Sequence, residues 1–381
     1  MRHDNSNMAI LHAYGAYGSR QLPSFNALDL PLLDRGVVVA IAHVRGGGEL
    51  GCAWHTRGRR QCKHNTFADL TAAARELVRR GFTSNDRLAL WGRSAGGLAV
   101  GATFHAHPGL CRAVVLDVPF LDVLGAMRDP SLPLTLKERR EWGDPLASKE
   151  VEQRLAGYSP YETLPQAVAR AAAGKDTYGW DGYLREGAPP GRRLLDAPRL
   201  HPSGPGWPHM LVTASLHDER VPVWGPAKYV ARLRSLLAGT RAGAGAGEEE
   251  ETGEGEGAGG GAGGGAGAVA GAGAVEPCSS CPVSPAPSAQ AGPLTPAQHP
   301  PPVTSSGSGE AGGAGSQDTA AAIAGGGAGG QVHSGLGSPV ILLDVDMQAG
   351  HFAASGGGSR LASRADKAAF LLTALSGAQP A

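Results

Sequence analysis

Arg87-Leu88-Ala89-Leu90-Trp91-Gly92-Arg93-Ser94-Ala95-Gly96-Gly97 decides how this chain folds. An apolar stretch of strand length runs into a serine flanked by glycines, and a helix-compatible stretch with few breakers follows from Leu98 to His107. Gly92-x-Ser94-x-Gly96 therefore lies where a strand turns sharply into a helix, the setting of a nucleophile elbow. The turn lifts the serine hydroxyl above the sheet, and the glycines let strand and helix cross closely. The spacing alone is common in glycine-rich chains, and it is the strand before and the helix behind that give it meaning.

Working outward, the same alternation recurs on both sides. Met8 to Ala13 is a short apolar strand that stops at Tyr14-Gly15-Ala16-Tyr17-Gly18. Leu28 to Leu33 reads as a loop or short helix, and Val37 to Ala42 is β-branched and apolar on both faces, as in a buried parallel strand. Thr66 is the expected N-cap of a helix to Arg80, which Gly81 stops. Beyond the elbow, Ala113 to Val118, His209 to Ala214 and Pro339 to Asp344 are further strands. Helices are expected over Leu136–Glu141, Pro226–Leu237 and Arg364–Leu375. This order predicts an α/β fold with a doubly wound, mostly parallel sheet.

Composition divides the chain. Of 381 residues, 59 are glycine, many of them between Ala238 and Ser338, where Gly, Ala, Glu, Pro and Ser leave almost nothing to bury. Residues 238–338 are expected to be a disordered insertion, and loop closure makes such a length tolerable. The catalytic domain is then residues 8–237, with a second insertion without clear period at 164–207, resumed at 339–376. Lys plus Arg equals Asp plus Glu at 34 each, which argues neither for nucleic acid nor for an acidic partner, and no nucleic-acid partner is expected. No apolar run reaches the ~20 residues of a membrane span, and no apolar signal core follows Met1. Five cysteines without a regular framework suit a reducing, cytoplasmic compartment. Cys278-Ser-Ser-Cys281 lacks the two further ligands that a zinc site needs.

A serine hydroxyl needs a base to take its proton and an acid to orient that base. In an α/β hydrolase these follow in the order Ser, acid, His, each from a loop at the carboxyl end of a strand. Ser94, Asp218 and His351 meet both conditions. His351 follows a strand, unlike His333, and Asp218 is preferred to Asp117, Asp122, Glu219 and Asp344 because its strand precedes the histidine strand. The oxyanion needs two donors. One is the amide of Ala95, and the hydroxyl of Tyr14 is the choice for the other, with core packing of its ring as the alternative.

Several longer motifs occur in one order: Tyr14 to Gly18, His43-Val44-Arg45-Gly46-Gly47-Gly48-Glu49-Leu50-Gly51, Gly92 to Gly97, and Pro133-Leu134-Thr135 with Glu141-Trp142-Gly143. Ser159-Pro160-Tyr161, His217-Asp218-Glu219-Arg220-Val221 and Ala349-Gly350-His351 complete the set. Together they closely resemble the catalytic domain of the prolyl oligopeptidase family of serine peptidases, most of all its oligopeptidase B branch. The resemblance covers Ala9 to Leu237, without 164–207, and Pro339 to Leu375. It implies an α/β-hydrolase fold, the triad and Tyr14 roles above, and two substrate-binding residues. Arg220 would hold a substrate carbonyl just upstream of the scissile bond, and Glu138 would bind a basic P1 side chain. The branch's second acid is replaced by Arg140, expected to repel such a group, and its acidic positions after the first glycine loop by Leu22 and Ser24. The family carries a β-propeller ahead of this domain. The sequence begins at about the third hydrolase strand, which implies a chain without the propeller, a fragment or an incomplete gene model, with one sheet edge unpaired.

The reading is a serine-type endopeptidase or oligopeptidase acting on short peptides through an acyl-enzyme, with no cofactor, no metal and no obligate protein partner. A carboxylesterase or acyl-peptide hydrolase with the same triad, and an inactive remnant, are the alternatives.

Overall fold

Six strands alternate with helices along the chain in the computed structural model, which describes residues 2–174, 206–245, 339–351 and 357–376. They are β1 (Ala9–Ala13), β2 (Val38–Ala42), β3 (Leu88–Arg93), β4 (Ala113–Asp117), β5 (His209–Ser215) and β6 (Ile341–Asp346). All pair in parallel, in the order β2-β1-β3-β4-β5-β6. The order reverses beside β1, and the loops from all carboxyl ends open on one edge of the sheet, where open α/β sheets place their sites.

Side-chain alternation along each strand feeds two cores. Leu88 and Leu90 of β3 join Leu11, Val114, Leu116, Met210 and Val212 on one face. Helices α3 (His64–Arg79), α4 (Ala95–Ala106), α8 (Pro160–Ala172) and α9 (Trp224–Gly245) follow the strands they cover, and α3, α4, α8 and α9 supply Leu70, Leu98, Leu164 and Leu233 to that core. Ala89 and Trp91 point the other way, with Ile10, Val115 and Leu211, against Phe370 and Leu371 of the closing helix α10 (Gly357–Ser376). The elbow helix α4 is apolar all round and buried at all 12 residues, as a helix between sheet and outer helices must be.

Shorter helices fill the connections: α1 (Leu30–Leu33), α2 (Cys52–Thr56), α5 (Val123–Arg128), α6 (Thr135–Trp142) and α7 (Lys149–Tyr158). Ser148 caps α7 by accepting from Val151 N at 3.3 Å.

Four expectations need correction. Helix α3 starts at His64, so Thr66 is not its cap; its hydroxyl donates instead to the Arg45 carbonyl at 2.7 Å. Strand β2 is not buried on both faces but lies at the sheet edge, with Ile41 40% exposed. Residues 164–172 are not aperiodic: they continue α8 and bury Leu164, Ala167 and Val168. Cys62 is disulfide-bonded, a bond that the irregular cysteine spacing did not announce. Residues 175–205 and 246–338, with Cys278 and Cys281, lie outside the described residues. Among the described residues no helix is long and apolar enough to cross a membrane.

One buried group ties α4, α8 and α9 together and sets an acid limit on the fold. His105 Nδ1 lies 2.9 Å from Thr163 Oγ1, and its Nε2 lies 2.7 Å from the Tyr229 hydroxyl. Burial, reinforced by Arg170, pulls the imidazole down to about 3. The unfolded chain then takes up this proton near pH 6.5 while the folded chain does not. Neutral His105 therefore contributes stability that is complete above pH 6.5 and lost as pH falls toward 3. About 2 kcal/mol should be gone by pH 5. Urea unfolding at pH 7.5 and pH 5 checks this, with His105→Gln expected to flatten the pH slope.

Candidate active site

Ser94 occupies a conformation that serine avoids, with φ 54° and ψ −119° between β3 and α4. Such a residue costs about 1–3 kcal/mol and persists only where its surroundings hold it. Its amide donates to the Asp117 carbonyl at 2.9 Å, and its own carbonyl accepts from Gly97 N at 2.9 Å and Phe120 N at 3.0 Å. The two motif glycines are required by close approach. A Cβ on Gly92 would meet the Gly96 carbonyl at 2.1 Å, and one on Gly96 would meet the Ala13 carbonyl at 2.5 Å. The elbow is thus built from main chain, with the hydroxyl left for chemistry.

Asp218 and His351 come together from the loops after β5 and β6. His351 Nδ1 lies 2.8 Å from Asp218 Oδ2, and both side chains are buried. The other oxygen, Oδ1, accepts from Arg220 N and Val221 N at 2.8 Å each. A carboxylate only accepts, so the shared proton belongs to Nδ1 and Nε2 is left as the acceptor. That is the tautomer a general base needs. Two of the rival acids are engaged with cations. Asp117 binds Arg93, Lys367 and Thr213, Asp122 binds Lys228 at 2.5 Å, and Asp344 lies within β6.

The His351 loop is joined to the elbow by Arg93, the residue before Ser94. Its Nη1 donates to Asp117 Oδ2 at 2.8 Å, and its Nη2 donates to the main-chain carbonyl of His351.

The loop after β1 is pinned from below. Lys63, 1% exposed, donates to the Gly15 carbonyl at 2.6 Å, and Glu141 Oε1 accepts from Tyr17 N at 3.2 Å. Burial brings the Lys63 ammonium down to about 8, against the pull of Glu141. His55 Nε2 lies 2.8 Å from the other Glu141 oxygen. Tyr14 is half-buried between the core and this loop. Burial raises its phenol above the ordinary value, and the charges of Arg220, Glu138, Glu141 and Arg93 all reach it. It therefore keeps its proton and can donate.

Ser94, Ala95, Tyr17, Glu138 and Arg220 line one open cleft, with Phe120, Met127 and Leu134 as its apolar wall. Ala95 begins α4, so its amide belongs to the first turn, whose N–H groups have no acceptor within the helix. Glu138 Oε2 accepts from the Tyr17 hydroxyl at 2.5 Å and from Trp142 Nε1 at 2.6 Å. Arg140 is exposed and is not among the residues lining the cleft, since residues two apart on a helix face apart.

Sequence reasoning named Ser94, Asp218, His351, Tyr14, Ala95, Glu138 and Arg220, of which the structure brings His351 and Asp218 into contact and sets Ser94, Ala95, Glu138 and Arg220 along one cleft; it assigned nothing to Arg93, Lys63 or Tyr17. Tyr17 and Trp142 stood within quoted motifs, and only their shared bond to Glu138 gives them a place. Lys63 carried no signal beyond being a lysine before an amphipathic helix.

The prolyl oligopeptidase family model matches residues 23–172. Dipeptidyl aminopeptidase BI of Pseudoxanthomonas mexicana is 38% identical over 236 residues, which are 62% of this chain and 27% of that protein. Protease 2 of Moraxella lacunata is 38% identical over 227 residues, or 60% and 27%. The chain thus spans about a quarter of the length of the curated relatives it matches. Oligopeptidase B from Leishmania major superposes with a TM-score of 0.59 at 26% identity, covering 98% of this chain and 33% of that one. With the motif order, the parallel sheet and the Ser94 elbow already in place, residues 23–172 are a prolyl oligopeptidase family domain.

Proposed function

We propose that the chain is a serine peptidase that hydrolyses short peptides through an acyl-enzyme, with a preference for arginine or lysine at P1. The observation that carries this reading is the 2.8 Å bond between His351 Nδ1 and Asp218, at the same sheet edge as the strained Ser94 elbow.

His351 Nε2 takes the proton from Ser94 Oγ as the oxygen attacks the scissile carbonyl carbon. The carbonyl π electrons move to oxygen, and the resulting oxyanion is held by the Ala95 amide and the Tyr14 hydroxyl. Collapse expels the amine, which leaves with the proton from Nε2 and places the acyl group on Ser94. Water repeats the cycle: it gives a proton to Nε2, attacks the ester, and releases the carboxylic acid as the proton returns to Ser94. Asp218 stays ionised throughout and stabilises the imidazolium. Arg220, whose main-chain N–H donates to Asp218 Oδ1 and which lines the cleft, is the group to meet a substrate carbonyl in this reading.

The P1 preference rests on Glu138 in the cleft wall. Both of its bonds fall on Oε2, and a half-buried carboxylate is a fitting partner for a guanidinium or ammonium. A panel of fluorogenic peptides with Arg, Lys, Pro or Ala at P1 tests it. Arg and Lys are expected to lead in kcat/KM, and Glu138→Gln is expected to lower kcat/KM for them by roughly tenfold to a hundredfold while sparing Ala. Equal rates across the panel in the wild type, or faster cleavage of simple aryl esters with no peptide cleavage, would favour the esterase reading.

A further inference from the structure

We propose that Arg93 is a positioning residue for His351, clamping the histidine loop to the nucleophile strand; this rests on the reading of Ser94, Asp218 and His351 as a triad. The clamp is a product of register. Arg93 pairs with Asp117 across β3 and β4, and Asp117 pairs with Thr213 across β4 and β5. Two residues after Trp91, Arg93 continues the face of the sheet that α10 covers. From that side the guanidinium reaches up to the carbonyl of His351 while its other arm stays on Asp117.

Asp117 is built to hold that arm still. Its second oxygen accepts from Lys367 Nζ of α10 at 2.8 Å and from Thr213 Oγ1 at 2.7 Å. Burial pushes its carboxyl up, but Lys367 and Arg93 outweigh it and leave the group below the usual range. Among the described residues, other ties of the histidine loop run to different elements. Asp346 Oδ1 accepts from Gln348 N and Ala349 N at 2.9 Å, and the Ala349 carbonyl accepts from His217 N at 3.2 Å. Those bonds fix the loop to β6 and to the loop after β5. Arg93 adds the tie to β3, the strand that carries Ser94. A planar fork with two aligned donors suits two acceptors on different strands, which a lysine's single ammonium serves poorly.

The distinction from a structural role lies in what each partner of Asp117 touches. Arg93 is 39% exposed at its side chain and touches the histidine loop, whereas Lys367 is 9% exposed and packs under the sheet. Arg93→Met leaves Asp117 with Lys367 and Thr213, so the fold should persist. Displacing a catalytic base by even 1 Å costs up to about a hundredfold in rate. Arg93→Met is therefore expected to lower kcat roughly tenfold to a hundredfold with KM within about threefold and an unchanged melting temperature. Arg93→Lys should recover part of the loss. Lys367→Met is expected to show the opposite pattern, a lower melting temperature with a smaller loss of kcat.

The experiment compares these three variants with wild type by fluorophosphonate labelling rate, kcat, KM and thermal melting. Slow labelling of a fully folded Arg93→Met protein beside rapid labelling of wild type supports the clamp. Labelling of Arg93→Met at the wild-type rate overturns it, as does a parallel loss of rate and melting temperature in Arg93→Met and Lys367→Met. Absence of labelling in wild type would overturn the triad reading itself, a separate result.

Discussion

Ser94→Ala is expected to lower kcat on a P1-arginine peptide by about 10⁴- to 10⁶-fold, with no loss of fold. The size of the effect follows from what Ser94 does and does not hold. Its bonds among the described residues run through its main chain, to Asp117, Gly97, Leu98 and Phe120, and alanine keeps them all. The hydroxyl alone is removed, and with it the covalent route; the oxyanion donors and the cleft remain. Residual turnover should reflect those donors acting on water. Steady-state kinetics beside a thermal melt check this. A variant that unfolds, or one that keeps more than about a tenth of the activity, contradicts the assignment of the nucleophile.

Asp218→Asn should cost about 10⁴-fold in kcat, again with the fold kept. Asp218 serves two partners in opposite directions: Oδ1 caps the turn through Arg220 N and Val221 N, and Oδ2 faces His351 Nδ1. An asparagine has one oxygen to offer. If that oxygen keeps the two amides, its NH2 faces Nδ1 and donates to it. The imidazole then carries its proton on Nε2, where it must accept one from Ser94, and catalysis stops at the first step. The loss arises from tautomer and not from displacement, so KM should stay near wild type. Retained activity would shift the role to another acid, although Asp117 and Asp122 are already bound to cations.

Much of this architecture is legible in the sequence alone. The elbow could be read because three rare needs coincide there: a strand, a helix, and small residues where the two cross. Its glycines face main-chain oxygens closer than any Cβ allows. The meeting of His351 with Asp218 was legible despite the long low-complexity stretch before it, because chain order and strand context do not depend on the length of the connection. Arg93 was not, although it sits inside the motif. Its partner is a main-chain carbonyl 258 residues away, and nothing in local spacing marks such a contact. The continuation of α8 to Ala172 was missed because an Ala-rich run hides its apolar stripe, although Leu164, Ala167 and Val168 fall at helical spacing. Strand β2 was read as buried because β-branched residues look alike in a central and in an edge strand.

The measurement that tests the central claim most directly is intact-mass and peptide mapping of the folded wild-type chain after reaction with a fluorophosphonate. One equivalent of adduct on Ser94, lost in His351→Ala and after prior heat denaturation, is the predicted result. A folded chain that carries no adduct, or an adduct on another residue, would contradict it.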